Sequence, residues 1–256
     1  MPDQRIAIVT GGLQGIGLAI VKALLDANVL VATGSRQGAN GEVAAAASQL
    51  IGESGLVAEL DVASTASIDR FMQQVRDGLG EPDILVNCAG VSVHQLVDGH
   101  SDEDWERVID INLNGPFRMI RACLPAMKQK RWGRIVNIAS TAARTAQPTH
   151  SAYCASKTGL VGLTRAVAME GGPHGISCVS VSPTWVETDM LRASARTRAE
   201  RSGRSDEVVI QDMARSDPQG RLVQPEEIAA LVAYCISDAA AGLTMEDIQV
   251  NAGAWW

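Results

Sequence analysis

The sequence predicts an α/β fold: a doubly wound parallel sheet in a single domain over 1–256, with helices on both faces. Two observations point there. Short apolar runs alternate with longer helical patterns, as in strand–helix–strand units. A glycine-rich turn directly follows the first apolar run and opens the first helix. With 256 residues, 46% of them hydrophobic, the chain can bury a sizeable core without staples.

The elements follow in order. Residues 5–10 read as the first strand, 16–27 as a helix and 29–34 as the second strand. A helix over 42–50 and a third strand over 56–60 come next. The fourth strand covers 83–87, bounded by Pro82 and by Ala89-Gly90. Residues 102–130 read as one long helical stretch, with Pro116 and Pro125 as irregularities. A fifth strand spans 134–140. The helix over 151–170 stops at Gly171-Gly172-Pro173. A sixth strand (176–182), a helix (225–237) and a short last strand (247–250) complete the pattern. Between 187 and 221 the chain turns rich in Arg, Ser and Asp, and this stretch is expected to run over the surface as a substrate lid.

Composition excludes several classes. A net charge of −7 argues against a general nucleic-acid or anionic-membrane surface. The 5 cysteines contain no Cys-x-x-Cys pair, and the 4 histidines have no ligand spacing, so no metal site is expected. Free thiols fit a reducing compartment. The N-terminal residues show no signal-peptide pattern, and no apolar run has the length of a membrane span. A cytoplasmic enzyme is the expected setting.

The turn reads Thr10-Gly11-Gly12-Leu13-Gln14-Gly15-Ile16-Gly17. Backbone amides at a helix start, aided by the positive end of the helix dipole, can cradle a pyrophosphate. Gly11, Leu13, Gln14, Gly15, Ile16 and Gly17 are therefore candidate cofactor contacts. A glycine turn can also be only a turn; its place between strand and helix favours binding. An acid after the second strand would bind the ribose 2′-hydroxyl of NAD. Here the stretch is Thr33-Gly34-Ser35-Arg36, without an acid. Ser35 and Arg36 suit a 2′-phosphate instead, the guanidinium fork matching phosphate oxygens. NADP(H) is thus expected over NAD(H).

Further motifs appear in register: Asp61-Val62, Asn87-Cys88-Ala89-Gly90, Asn112 within Ile111–Asn114, Ser140 after the fifth strand, and Tyr153-Cys154-Ala155-Ser156-Lys157. Together with the glycine turn they resemble the short-chain dehydrogenase/reductase family over essentially the whole chain. The resemblance implies a Rossmann-like fold and hydride transfer between a nicotinamide cofactor and a ketone or secondary alcohol. It implies a tetrad of Asn112, Ser140, Tyr153 and Lys157. Tyr153 would be the general acid/base, Ser140 would hold the substrate oxygen, and Asn112 would anchor a relay water. Tyr153 and Lys157, four residues apart on a helix, share one face, so the lysine cation is expected to lower the phenol pKa. Lys157 and Tyr153 would also border the nicotinamide ribose. Asp61 and Val62 would border the adenine, Asn87, Ala89 and Gly90 the ribose, and Val186 and Thr188 the carboxamide.

Three positions depart from the family's pattern: Cys88, Thr184 and Val250-Asn251-Ala252-Gly253. Cys88 is expected to loosen a polar contact in the sheet, and the Thr184 backbone must accept a Cβ. Within the family the chain resembles D-3-hydroxybutyrate dehydrogenases, 3-oxoacyl carrier-protein reductases and polyketide ketoreductases alike. His94, Gln147, His150 and Trp185 are candidates to line the substrate cleft. A cofactor-sensing or scaffold protein without turnover is the competing reading, and it has no need of an intact tetrad. The expected partner is a small carbonyl or alcohol substrate. The family implies a homotetramer paired through the long helices of 102–130 and 151–170. Trp255 and Trp256 are expected to pack at a subunit interface.

Overall fold

The apolar runs become strands of one parallel sheet. The computed structural model describes residues 4–36 and 41–254. Its strands are β1 (Ile6–Thr10), β2 (Leu30–Ser35), β3 (Gly55–Glu59), β4 (Ile84–Asn87), β5 (Gly133–Ile138), β6 (Ile176–Pro183) and β7 (Asp247–Val250). They lie in the order β3-β2-β1-β4-β5-β6-β7, every neighbouring pair parallel. The doubly wound sheet is therefore as expected. The order reverses between β1 and β4, which leaves a crevice outside the carboxyl ends of those strands.

Alternation along β1 sorts the core into two layers. Ala7 and Val9 pack with Ile20 and Leu24 of α1 (Gly15–Asp26) and with Ile228 and Val232 of α9 (Pro225–Cys235). Ile6 and Ile8 pack on the other face with Phe71 and Met72 of α3 (Thr65–Gly78) and Met119 of α5 (Gly115–Lys130). Burial of each such large side chain contributes about 1.5–3 kcal/mol. Helix α2 (Glu42–Ile51) covers β2 and β3, and α6 (Ser151–Gly171) packs against β6.

Three expectations need correction. Helix α3 was not anticipated between the third and fourth strands, although Ile68, Phe71, Met72 and Val75 repeat at helical spacing and are all buried. Its N-cap is Ser64, whose hydroxyl accepts from the Ser67 amide at 3.3 Å. The single helix of 102–130 is two, α4 (Asp102–Ile109) and α5, joined by a wider π-type turn over Asp110–Asn114. That turn aims Asn112 inward, and Pro116 falls in the first turn of α5, where its missing N–H costs little. Residues 187–221 are no irregular excursion. They hold α7 (Asp189–Ser202) and α8 (Asp206–Ser216), capped by Thr188 and Ser205. Leu191, Ala195, Ala199, Val209 and Met213 give the pair its own small apolar cluster. Among the described residues no helix is long and apolar enough to cross a membrane. Trp255 and Trp256, expected at an interface, lie outside the described residues.

Candidate active site

Hydrogen bonds across the carboxyl ends of β1, β2 and β4 shape the first wall. The Thr10 hydroxyl accepts from the amides of Cys88 (3.0 Å) and Ala89 (3.1 Å), pulling the end of β4 against the glycine turn. Thr33 Oγ1 accepts from the Gly12 amide at 3.1 Å and donates to the Val9 carbonyl at 2.7 Å. Gly11 and Gly15 have φ of 68° and 52°, in the left-handed region that favours glycine. A Cβ on Gly11 would lie 3.0 Å from the Ala89 Cα, and one on Gly17 would collide with the Gly11 carbonyl oxygen.

A cavity of about 730 Å³ opens over this turn. Gly11, Gln14, Gly15, Ile16, Gly17, Ser35, Arg36, Asp61, Val62, Ala89 and Gly90 border it. Ser140, Tyr153, Lys157, Val186 and Thr188 border it too, Thr188 beside Gly15. Three candidates do not line it. Leu13 is buried against Ala44 and Ala47 of α2. The Asn87 amide donates to Asn137 Oδ1 at 2.8 Å within the sheet, and Asn137 donates on to Thr164 at 2.9 Å. A polar brace thus remains in the sheet beside Cys88. Asn112 is fully buried. Its amide donates to the Val91 carbonyl (2.9 Å) and to Ser156 Oγ (3.1 Å), and its oxygen accepts from the Val91 amide (2.9 Å).

The remaining tetrad residues converge. The Lys157 ammonium donates to the Ile138 carbonyl at 2.7 Å and lies 5.6 Å from the centre of the Tyr153 ring. A Cβ on Gly90 would sit 3.4 Å from Asn112 Oδ1 and 3.7 Å from Lys157 Nζ, so both groups flank that glycine. Ser140 accepts from the Ala142 amide at 3.1 Å, which holds its hydroxyl in place, and it hydrogen-bonds Tyr153. The expected lowering of the Tyr153 pKa is not what this geometry gives. Burial raises the phenol, and the Ser140 hydrogen bond only opposes that. Burial also brings Lys157 down to about 8 and pushes the Cys88 thiol up to about 12.

His94, Gln147, His150 and Trp185 all border the outer part of the cavity. The two imidazoles meet edge to face, 4.3 Å between centres, and His94 Nε2 is 3.1 Å from Ser194 Oγ of α7. Burial pulls His94 down to about 4, aided by His150, Arg198 and Arg201. The sequence reading missed this α7 contribution, although Ser194, Arg198 and Arg201 recur at helical spacing. Thr184 shows no left-handed backbone, and its hydroxyl donates to Asp217 at 3.0 Å. Behind β6, the buried Asp247 accepts from Ser180 (2.9 Å), Ser182 (2.6 Å), Arg144 (2.9 Å) and Gln249 (2.8 Å). Arg144 ends the short turn that begins at Ser140, so this cluster ties the Ser140 loop to β7.

A glycine turn crowded against a Cβ at Gly11 and closed to one at Gly17, set at a helix start where a sheet reverses order, fits a dinucleotide. The class follows: this chain is an oxidoreductase of the short-chain dehydrogenase family, whose model matches residues 5–199. It is 39% identical over 254 residues to a putative ketoacyl reductase of the monensin polyketide synthase of Streptomyces virginiae, covering 97% of this chain and 96% of the relative. It is 37% identical to the 3-oxoacyl-acyl-carrier-protein reductase of Escherichia coli (strain K12), with 99% and 98% covered. The D-beta-hydroxybutyrate dehydrogenase of Rhizobium meliloti (strain 1021) is 35% identical, with 97% and 98% covered. A solved actinorhodin polyketide ketoreductase variant with NADPH superposes with a TM-score of 0.92 at 34% identity, covering 99% of this chain and 98% of that one.

Proposed function

We propose that this protein interconverts a ketone and a secondary alcohol, with Tyr153 as the general acid/base and NADP(H) as the preferred cofactor. The convergence of Ser140, Tyr153 and Lys157 on the cavity that the glycine turn also borders carries this reading. The backbone of 11–17 would hold the pyrophosphate, and Arg36, exposed at the rim, a 2′-phosphate. The cofactor, when bound, supplies or accepts the hydride.

The chain's own groups handle the oxygen and its proton. Ser140 donates to the substrate oxygen and stabilises the charge that develops there. Tyr153 gives its proton to that oxygen in reduction and takes one back in oxidation. A raised pKa suits the first task, because the phenol stays protonated at neutral pH. Lys157, fixed on the Ile138 carbonyl, keeps its other protons for the ribose hydroxyls and for refilling the phenol. Asn112 shapes this site through the backbone of Val91.

Helices α7 and α8 are read as the substrate lid, closing over the outer cavity from their own small core. A homotetramer in the cytoplasm completes the reading. Exposed Trp105 on α4, Phe117 on α5 and Met169 on α6 supply apolar contacts on the helices that would pair.

The test is Tyr153→Phe, with NADPH and NADH oxidation followed across a panel of carbonyl compounds. Loss of the general acid should lower kcat by about 10²–10⁴. Cofactor binding, followed by fluorescence, should stay nearly unchanged. Full turnover by the variant would remove Tyr153 from its role.

A further inference from the structure

Helix α7 sorts its arginines by face. Arg192 and Arg196 point outward and pair with Glu187 (2.8 Å) and Asp206 (3.6 Å), and Arg204, just beyond the helix, pairs with Asp212. Arg198 and Arg201 share the other face with Ser194, at i, i+4 and i+7. Among the described residues no carboxylate pairs with either. Arg198 donates to Gln147 Oε1 at 2.6 Å and Arg201 to the His94 carbonyl at 2.6 Å, both neutral oxygens. Arg198 is half-buried, with its guanidinium 4.9 Å from the centre of a Trp185 ring. A partly buried cation held only by neutral acceptors is costly unless an anion completes it.

Beside Arg198 lies a second cavity of about 300 Å³, bordered by Gln147, Trp185, Arg198, Ser202, Arg204, Asp212 and Ser216 among others, and its one carboxylate, Asp212, is already taken by Arg204. Gln147, Trp185 and Ser216 also border the main cavity, so they form the partition between the two. We propose that this second cavity is a distal anion subsite. A substrate whose ketone lies at Tyr153 would pass a carboxylate or phosphate beyond Gln147 and Trp185 onto the guanidinium of Arg198. A planar fork suits either oxyanion bidentately, and Gln147 would yield its place on Arg198. Arg201 adds positive potential from the same helix face. The preferred substrates are therefore ketones with an acidic group remote from the carbonyl.

This inference rests on the reductase reading, and its test separates the two. Each acidic ketone of a series, carboxylated or phosphorylated at graded distance from the carbonyl, is assayed beside its neutral ester. The wild-type protein should favour the acid, with one chain length best. Arg198→Gln should raise KM for that acid about ten- to hundredfold, the worth of a charged hydrogen bond. It should leave kcat and the ester's KM within about twofold. Arg198→Lys, which keeps the charge without the fork, should recover part of the loss. Arg196→Gln on the outer face should keep the preference for the acid over its ester. Equal KM for acid and ester in wild type, or equal losses for both in Arg198→Gln, would overturn the subsite while leaving the reductase reading intact.

Were no ketone reduced, the reductase reading would fall and the subsite would still be testable. Calorimetric titration with succinate and with inorganic phosphate should show saturable binding that Arg198→Gln weakens at least about tenfold. The better ligand tells carboxylate from phosphate recognition. Identical titrations for wild type and variant would refute the subsite.

Discussion

At Tyr153 two opposing influences meet, and burial is the stronger: the phenol holds its proton above the ordinary value. Reduction needs that proton, so its rate should be flat through neutral pH and fall as the phenol ionises at alkaline pH. Oxidation needs the ionised form and should rise with pH over the same range. Parallel pH profiles in the two directions would contradict this assignment. Arg36 makes a second prediction. Arg36→Ala should raise the KM for NADPH about tenfold or more, the loss of a charge-assisted phosphate contact, and leave NADH nearly unaffected. The reverse pattern in steady-state assays would point to NAD. Both residue types and their spacing were visible in the sequence, because a phenol and an amine four apart on a helix define one face. The direction of the phenol's shift was not visible. It depends on how deeply the surrounding elements bury Tyr153, and no local pattern reports that.

Among the elements, the strands were the most legible, since parallel strands buried on both faces read as unbroken apolar runs. The break between α4 and α5 was not, because the π-type turn follows from Asn112 reaching the backbone of Val91, a contact 21 residues away in sequence. The α7–α8 pair was hidden for a related reason: its polar composition resembles a loop, and its few apolar residues suffice only once the two helices meet. The junction of the Ser140 loop with β7 gives a stability prediction. Asp247→Ala would leave Arg144, Ser180 and Ser182 without their shared acceptor. Arg144 is partly exposed, so the loss falls on the buried hydroxyls, about 1–3 kcal/mol, which should lower Tm by roughly 2–12 °C in a chain of this size. Calorimetry checks this, and an unchanged Tm would show that Asp247 is dispensable.

The described residues form one sheet with a cavity along its carboxyl edge, bounded by the glycine turn, the Ser140 loop and α7. The exposed apolar side chains were not readable, because Phe117 or Met169 looks like any helical apolar residue until the fold shows that neither is buried. In sedimentation the protein should run as a tetramer. Phe117→Glu, by placing a charge on the face that would pair, should shift it toward smaller species.

The strand order also bears on how the chain is made. Strand β1 is made before the other six strands yet sits in the middle of the sheet, and Ile6 bonds to Asp83, 77 residues further on. At ordinary synthesis rates that partner arrives roughly 4–15 s later. Strands β1 to β3 can pair meanwhile, but β1 keeps one edge of unpaired backbone N–H and C=O groups open until β4 appears. For those seconds the nascent chain carries a template for association with its neighbours, so its yield in the cell should depend on chaperones that cover that edge.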